Sequence, residues 1–375
     1  MVIVGASAAG LFSALHLARS HVPVRVFERA TSFAPLARTL IVTPEVTRAL
    51  GFAPVRATRN RVHTLELCST HRCVPIELDE PDLIVERAEL LQQLMERALD
   101  AGAEIEFGHE FTGFADASPS ASVVVRERET AAVRHVPARA VIAADGVRSH
   151  VARAAGLEPQ RAVTVLQARI STPAADPGIG KVWFVPDDSP YFYWLCPESS
   201  EAAAVGLVDV NPREARHKLD RFLAARGWQP LEYQAALVPL YTPGKPVSAR
   251  VDGLDVLLVG DAAGHVKVTT IGGTVSGLLG AEAAARSIAC GRAYQQELRS
   301  AERELRLHWY MRKLMLRFGD TEYDVLLQLL RGRLRRLLEV HNRDRLNSVF
   351  WSMLAVQPRL PLLAAQALWR AGLQP

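Results

Sequence analysis

No stretch of this chain approaches the roughly 20 apolar residues that a membrane-crossing helix needs, and the sequence opens directly on MVIVG with no basic segment before an apolar run. A protein neither secreted nor integral to a membrane is expected. Cysteine is scarce, with only Cys68, Cys73, Cys196 and Cys290 among 375 residues. None forms a C-x-x-C pair, and four are too few for a disulfide framework in a chain this size, which fits a reducing cytoplasm. There is no internal repeat, no low-complexity tract and no zinc-ligand spacing. No Lys/Arg cluster accompanies an RNA-binding signature, so a nucleic-acid partner is not expected.

What is present is ordinary globular composition, 49% hydrophobic and 22% charged, long enough for two domains or one large α/β unit. The formal charge of +4 is unevenly placed, because residues 295–375 carry 14 Lys/Arg against 8 Asp/Glu. The basic surface is therefore C-terminal, and among acidic partners an anionic membrane surface suits it better than nucleic acid.

The first chemical signal is a strand, a turn and a helix. VIVG reads as a short buried strand, GASAAG as the turn, and LFSALHLARS as a helix with Leu11, Ala14, Leu15 and Ala18 on one face. VPVRVFERA follows as a second strand ending on an acid. Small residues at G-x-G-x-x-G spacing let a tight turn form, a pyrophosphate approach the backbone, and the helix pack on the strand. Here those positions are Gly5, Ser7 and Gly10, with Ala8 and Ala9 between them. Glu28, followed by Arg29, ends the second strand where a carboxylate binds ribose hydroxyls and disfavours a 2′-phosphate. Read alone, the segment has the lesser alternative of a plain glycine-rich strand-to-helix turn.

Two further strand ends share that character. ARAVIAADGVRSHVAR, residues 138–153, runs from a buried strand into Asp145-Gly146 and a helix start. DVLLVGDAAGHVKVTTIGG empties into Gly260-Asp261, with Gly272-Gly273 at the next helix N-terminus. Three such segments along one chain resemble the signatures of the flavoprotein family that includes p-hydroxybenzoate hydroxylase and the geranylgeranyl reductases. The resemblance implies that the first turn holds the FAD pyrophosphate, that Asp145-Gly146 lies near it, and that Asp261 meets the ribityl chain. It also places Gly272 and Gly273 under the flavin, where backbone N–H groups at a helix end can stabilise the reduced anionic ring. Arg87, opening a helix in LIVERAELLQQLMERA, matches an arginine that reaches the cofactor; its plain alternative is an exposed helix-start residue. Arg38, in PLARTLIVTP, is a second candidate for cofactor contact.

GDAAGHVK-TT-GG is similar to the geranylgeranyl reductase form rather than to the hydroxylase form, which lacks the glycine before histidine. It departs at Val268, where that family has proline, and at Ile271, where it has glycine. The aromatic signature Tyr-x-Trp-x-Phe-Pro of those reductases appears as Phe192-x-Trp194-x-Cys196-Pro197, making Phe192, Trp194 and Cys196 candidate walls of a substrate pocket. Without the resemblance the same residues are one aromatic sheet face. The segment 181–209 reads as strands around turns. From AYQQELRS, residue 293, onward the pattern is helical, with Tyr323, Leu326, Leu327, Leu330, Leu334, Leu337 and Leu338 recurring at helical spacing. The apolar end LPLLAAQALW packs on the flavin domain or touches a membrane surface.

The expected fold is α/β: an FAD-binding doubly wound domain, a β-sheet substrate domain and a helical C-terminal region. Expected boundaries are 1–70, 71–160 and 251–290 for the FAD-binding parts, 161–250 for the substrate domain, and 291–375 for the helices. The resemblance implies reduction of carbon-carbon double bonds in a prenyl or other apolar chain by hydride from reduced FAD. A monooxygenase or halogenase on the same scaffold and a non-enzymatic flavin-binding protein are the alternatives. No second glycine-rich unit serves a nicotinamide, so NAD(P)H or another external reductant would act transiently. No metal is expected. His265 and Lys267 are the titratable residues nearest the reacting segment; a satisfied structural histidine and a surface lysine are the competing readings. The family's active-site cysteine has no counterpart in PLARTLIVTP.

Overall fold

The computed structural model describes residues 1–33, 36–115, 121–171 and 176–372. A six-stranded sheet forms the first layer, in the order Ser248–Val251, Leu254–Leu258, Ala140–Ala143, Val2–Val4, Arg25–Glu28, Glu104–Phe107. All its pairs are parallel except the edge pair Ser248–Val251 with Leu254–Leu258. Parallel strands need both faces covered, and Val2, Ile3, Val4, Val141, Ile142 and Val256 are accordingly buried.

Helix α1 (Ala8–Arg19) packs on this sheet through Leu11, Ala14, Leu15 and Ala18, as their spacing requires. Helices α2 (Glu45–Leu50), α3 (Arg87–Asp100), α4 (His150–Ala154) and α5 (Pro212–Ala224) follow along the chain. A three-stranded antiparallel sheet, His109–Ala115, Ser122–Glu127 and Val133–Pro137, lies between α3 and α4 in sequence.

The second large sheet has eight strands, ordered Pro230–Pro239, Ala162–Ser171, Ala202–Asp209, Tyr193–Pro197, Ile179–Trp183, Thr58–Cys68, Cys73–Glu86, Thr39–Val42. It is antiparallel apart from Ile179–Trp183 beside Thr58–Cys68. Three of its strands come from residues 39–86, so the chain enters this sheet early and returns to it after α4. The hairpin register sets Cys68 opposite Cys73, and the two form a disulfide. The sequence expectation of a fully reduced chain is corrected there: a cross-strand pair needs no framework, only two facing positions. Cys196 and Cys290 are free.

The C-terminal region is helical: α6 (Thr274–Cys290), α7 (Tyr294–Met315), α8 (Asp320–Leu329), α9 (Gly332–Val340), α10 (Leu346–Val356) and α11 (Arg359–Gly372). The leucine periodicity of 323–338 reads as unbroken, yet the helix stops at Leu329 and restarts at Gly332. Arg331 is extended and Gly332 takes φ +55°, a left-handed conformation glycine adopts at little cost. No helix among the described residues is long and apolar enough to cross a membrane.

Candidate active site

The turn after the first strand is shaped by close approach. A Cβ on Gly5, whose φ is +102°, would lie 2.5 Å from the Ala144 carbonyl oxygen, and one on Gly10 would collide with the Gly5 carbonyl. The Ser7 hydroxyl accepts from the Gly10 amide at 3.3 Å, so the residue in the middle glycine position of the fingerprint serves as the N-cap of α1. Both oxygens of Glu28 are engaged locally, accepting from the Ala6 amide at 2.8 Å and the Ala30 amide at 2.9 Å. They tie the second strand's end to the turn; Arg29 is exposed.

A second close approach joins this turn to the Gly260-Asp261 segment. Gly260 has φ +57°, and a Cβ there would stand 2.9 Å from the Ala9 methyl. Asp261 is solvent-accessible, yet surrounding protein desolvates it enough to raise its carboxyl above the ordinary value, against the pull of Arg38 and Arg87. An exposed carboxylate so placed leaves one side of the group open to a ligand. The two guanidiniums are themselves shifted down by burial, and Arg38 also by its proximity to Arg87. The Arg38 Nε is buried without a partner, and an Arg87 Nη reaches the Leu36 carbonyl at 3.5 Å. Arg38, Arg87 and Asp261, separated by up to 223 positions, are thus brought together. The far side is the N-terminus of α6, where Gly273 is the cap and no side chain caps the first turn. Its free amides are donors for an electron-rich group.

The Asp145 side chain is engaged locally. Its carboxylate accepts from the Ser149 hydroxyl at 2.6 Å, the His150 amide at 2.7 Å and the Val151 amide at 3.2 Å. It is committed to the start of α4, with Gly146 turning the chain at φ +83°.

The loop between Gly264 and Gly273 is clamped from outside. Arg312 of α7, only 3% exposed, donates to the carbonyls of Val268 (2.9 Å), Thr269 (2.6 Å) and Pro190 (3.4 Å) and lies over the Tyr191 ring. The Thr269 hydroxyl bonds the His308 imidazole, whose other nitrogen meets the Arg343 carbonyl at 3.1 Å. Lys267, 5% exposed, forms a buried ion pair with Asp344, which also accepts from the Thr43 hydroxyl at 2.6 Å. Burial alone would raise the Asp344 carboxyl; Lys267, the Thr43 hydroxyl and Arg343 bring it below its ordinary value. The neighbouring Arg343 pairs with buried Asp82. The surface reading of Lys267 is thereby excluded. None of Arg312, His308, Arg343 and Asp344 is singled out by sequence, because each of these contacts spans 35 or more positions.

His265 is packed against Gly280 of α6, where an added Cβ would overlap the imidazole. Its Nδ1 is buried without a partner, and burial pushes its pKa down to about 4. It is neutral at physiological pH.

Across the loop stands an apolar cluster that includes Phe192, Tyr191, Phe184 and Tyr323, with Trp194 and Ile271 packed on it. The Phe192 and Trp194 rings are 6.0 Å apart, and the indole lies flat on Gly206, where any side chain would collide with it. Cys196, two residues further along the same strand, is not in this cluster. It is buried with Val62, Ile84 and Ala204, and burial pushes its thiol up to about 12. Of the three wall candidates, Phe192 lies in the cluster on which Ile271 packs, Cys196 lies in the other, and Trp194 packs on both. The two departures from the reductase pattern have visible uses. Val268 is buried with Tyr241 and Leu305, anchoring the loop to α7. Ile271 sits at φ +53°, an unfavourable conformation for a β-branched residue, and packs on the cluster that contains Phe192.

The glycine cradle, the unpartnered Arg38 Nε and the uncapped α6 terminus fit a long, polar dinucleotide. The comparisons agree. An FAD binding domain model matches residues 1–308. The chain is 31% identical over 365 residues to digeranylgeranylglycerophospholipid reductase 2 of Methanothermobacter thermautotrophicus, covering 89% of this chain and 92% of that protein. It superposes with a TM-score of 0.82 on a geranylgeranyl bacteriochlorophyll reductase-like protein of Thermoplasma acidophilum, at 19% identity and 97% coverage of both chains. A flavin-dependent brominase shares the fold at TM-score 0.65 and 14% identity, over 89% of this chain and 90% of the other. Fold, dinucleotide cradle and relatedness over nearly the whole length converge: this FAD-binding flavoprotein belongs to the geranylgeranyl reductase family.

Proposed function

We propose that the protein is an FAD-dependent reductase that saturates carbon-carbon double bonds in a prenyl or other apolar chain. The observation that carries the reading is the meeting of two unlike surfaces at one loop. Asp261, near the start of the 260–273 segment, is grouped with Arg38 and Arg87, and Ile271, near its end, packs on the apolar cluster of Phe192 and Trp194. Residues 1–70, 71–160 and 251–290 form the cofactor-holding part, and 161–250 supply most of the substrate side.

Reduced FAD, when bound, supplies hydride from its ring. The chain's residues bind it, orient the alkene and exclude water. The Gly5–Gly10 turn with the α1 N-terminus holds the diphosphate; Glu28 and Arg29 flank the adenosine end. Asp261, with Arg38 and Arg87 beside it, takes the ribityl hydroxyls, and the amides after Gly272 and Gly273 meet the polar edge of the ring. Phe192, Trp194 and Ile271 give the alkene a dry apolar surface, in which a chain without polar groups loses nothing by leaving water. Proton delivery has to accompany hydride transfer to an isolated alkene. His265 is neutral and Lys267 is held by Asp344, so both act by fixing the loop rather than by donating. The electrons come from NAD(P)H or another external donor at the exposed edge of the site. Relatives named for prenylated lipids support an apolar chain as substrate, and contact with a membrane surface follows if that chain is drawn from a bilayer. The test is anaerobic: protein carrying reduced FAD is mixed with geranylgeranyl lipid, and flavin oxidation is followed alongside loss of double bonds. Oxidation that requires oxygen and leaves the lipid unchanged would favour a monooxygenase instead.

A further inference from the structure

Helices α10 and α11 carry apolar residues on two opposite faces. Inward, Leu360, Leu363 and Ala367 of α11 pack in or on the cluster that contains Phe192, with Phe318 and Tyr323 beside them. Outward, Leu362 is 62%, Leu368 52% and Trp369 70% exposed, and on α10 Trp351 is 76% exposed. An ordinary surface helix has one apolar stripe and a polar opposite face. Large aromatic side chains so exposed on adjacent helices ask for a cover.

Charge indicates its nature. All 40 acidic residues of the chain lie at or before Asp344; from 345 to 375 there are three arginines and no carboxylate side chain. Arg345 pairs with Glu45 and Arg370 with Glu322. Arg359 is exposed with no ion pair among the described residues, as are Arg331 and Arg333. These lie close by, because the Gln357 side chain donates to the Leu329 carbonyl at 3.3 Å and Val356 and Leu360 pack on the cluster holding Leu330 and Leu334. The exposed carboxylates beside α9, Glu77 and Asp79, are paired with Arg335 and Arg336; an apolar face with tryptophans, unpaired arginines nearby and no acidic side chain after Asp344 matches the boundary between lipid headgroups and acyl chains.

We propose that α10 and α11 dock on an anionic lipid surface, with Trp351, Leu362 and Trp369 entering the acyl boundary and Arg331, Arg333 and Arg359 meeting headgroup phosphates. This rests on the reductase reading only for its purpose: α11 then stands between the bilayer and the apolar cluster at the flavin loop, and a prenyl chain reaches one from the other along that helix. The docking is interfacial, since no described helix spans a bilayer.

The experiment is flotation of the FAD-loaded full chain with substrate-free vesicles of phosphatidylglycerol or of phosphatidylcholine. Binding is expected to phosphatidylglycerol vesicles and to fall steeply as salt is raised. The pair Leu362→Ser with Trp369→Ser should weaken it by about tenfold or more, given the apolar area withdrawn; Arg331→Gln with Arg333→Gln and Arg359→Gln should remove the preference for the anionic lipid. Both variants should keep flavin absorbance and turn over detergent-dispersed substrate as the parent does, because every altered side chain is on the outer surface. The proposal is overturned if the parent binds neither vesicle, if the serine variant floats equally well, or if the face instead pairs two copies, seen as a dimer that the serine variant converts to monomer. Vesicle binding is read without substrate, so its failure leaves the reductase reading standing, and failure of turnover leaves the docking result intact.

Discussion

Replacing Lys267 by methionine separates a structural clamp from a proton donor. Lys267 is 5% exposed and its partner Asp344 is similarly buried. Methionine keeps the aliphatic bulk but leaves the carboxylate facing only the Thr43 hydroxyl and Arg343, which already serves Asp82. Removing one member of a buried pair costs about 3–5 kcal/mol, because the remaining charge is uncompensated. Removing both is milder: Lys267→Met with Asp344→Leu should cost at most about 1–2 kcal/mol, mainly for the orphaned Thr43 hydroxyl. The sign of the pH dependence is a second check. In the parent, Asp344 titrates below its unfolded value, so its contribution is full above about pH 4 and is lost as pH falls through the lower folded value. In Lys267→Met burial is unopposed by the ammonium, the carboxyl rises above its unfolded value, and the penalty is greatest at neutral pH and relieved as pH falls toward about 4. Urea unfolding followed by tryptophan fluorescence at pH 5 and pH 7.5, with flavin release recorded separately, reads both effects. Unchanged unfolding together with abolished turnover would refute this reasoning and return Lys267 to the chemistry.

Three further expectations follow from the same geometry. Asp261→Ala removes an accessible carboxylate that supports no fold contact other than with Arg38 and Arg87; FAD affinity should drop by about tenfold to a hundredfold while the circular dichroism is kept, and a variant that stays yellow would remove the ribityl role. His265 is held neutral with its pKa pushed down to about 4, below its unfolded value, so folding loses stability as pH falls below about 6.5; His265→Phe should blunt that loss in unfolding midpoints between pH 6.5 and 4.5, and equal acid sensitivity would contradict the burial. Ile271→Gly relieves a left-handed conformation costing about 1–2 kcal/mol and removes a side chain packed on the Phe192 cluster; bulkier or longer prenyl substrates should gain in kcat/KM over short ones, and an unchanged preference would place Ile271 outside the substrate surface.

The parts of this molecule that could be read from sequence are those in which neighbours do the work. Gly5, Ser7 and Gly10 announce a strand, turn and helix because Ser7 caps the helix at Gly10 and Gly10 packs on the Gly5 carbonyl, although the distant Ala144 also requires small residues at Gly5 and Gly10. The start of α3 at Arg87 was equally legible, since Leu90, Leu91 and Leu94 fix its buried face. The meeting of Arg38, Arg87 and Asp261 came only through resemblance, as no local pattern connects positions so far apart. The clamp of Arg312, His308 and Asp344 on the flavin loop was invisible for the same reason: an arginine on a basic helix looks like surface until the loop it grips is known. The Asp145 carboxylate has a local use, holding the start of α4, that the Asp-Gly step alone does not announce. The disulfide escaped because a five-residue separation signals nothing until the hairpin register places Cys68 opposite Cys73.

The central claim is that this loop joins a flavin to an apolar alkene. Its most direct measurement is the absorbance of the FAD-loaded protein, reduced and held without oxygen, after addition of a geranylgeranyl lipid. The account predicts that the oxidised flavin spectrum returns at a rate set by lipid concentration, with one double bond lost for each flavin reoxidised. A flavin that stays reduced with that lipid and is reoxidised only by oxygen would contradict it.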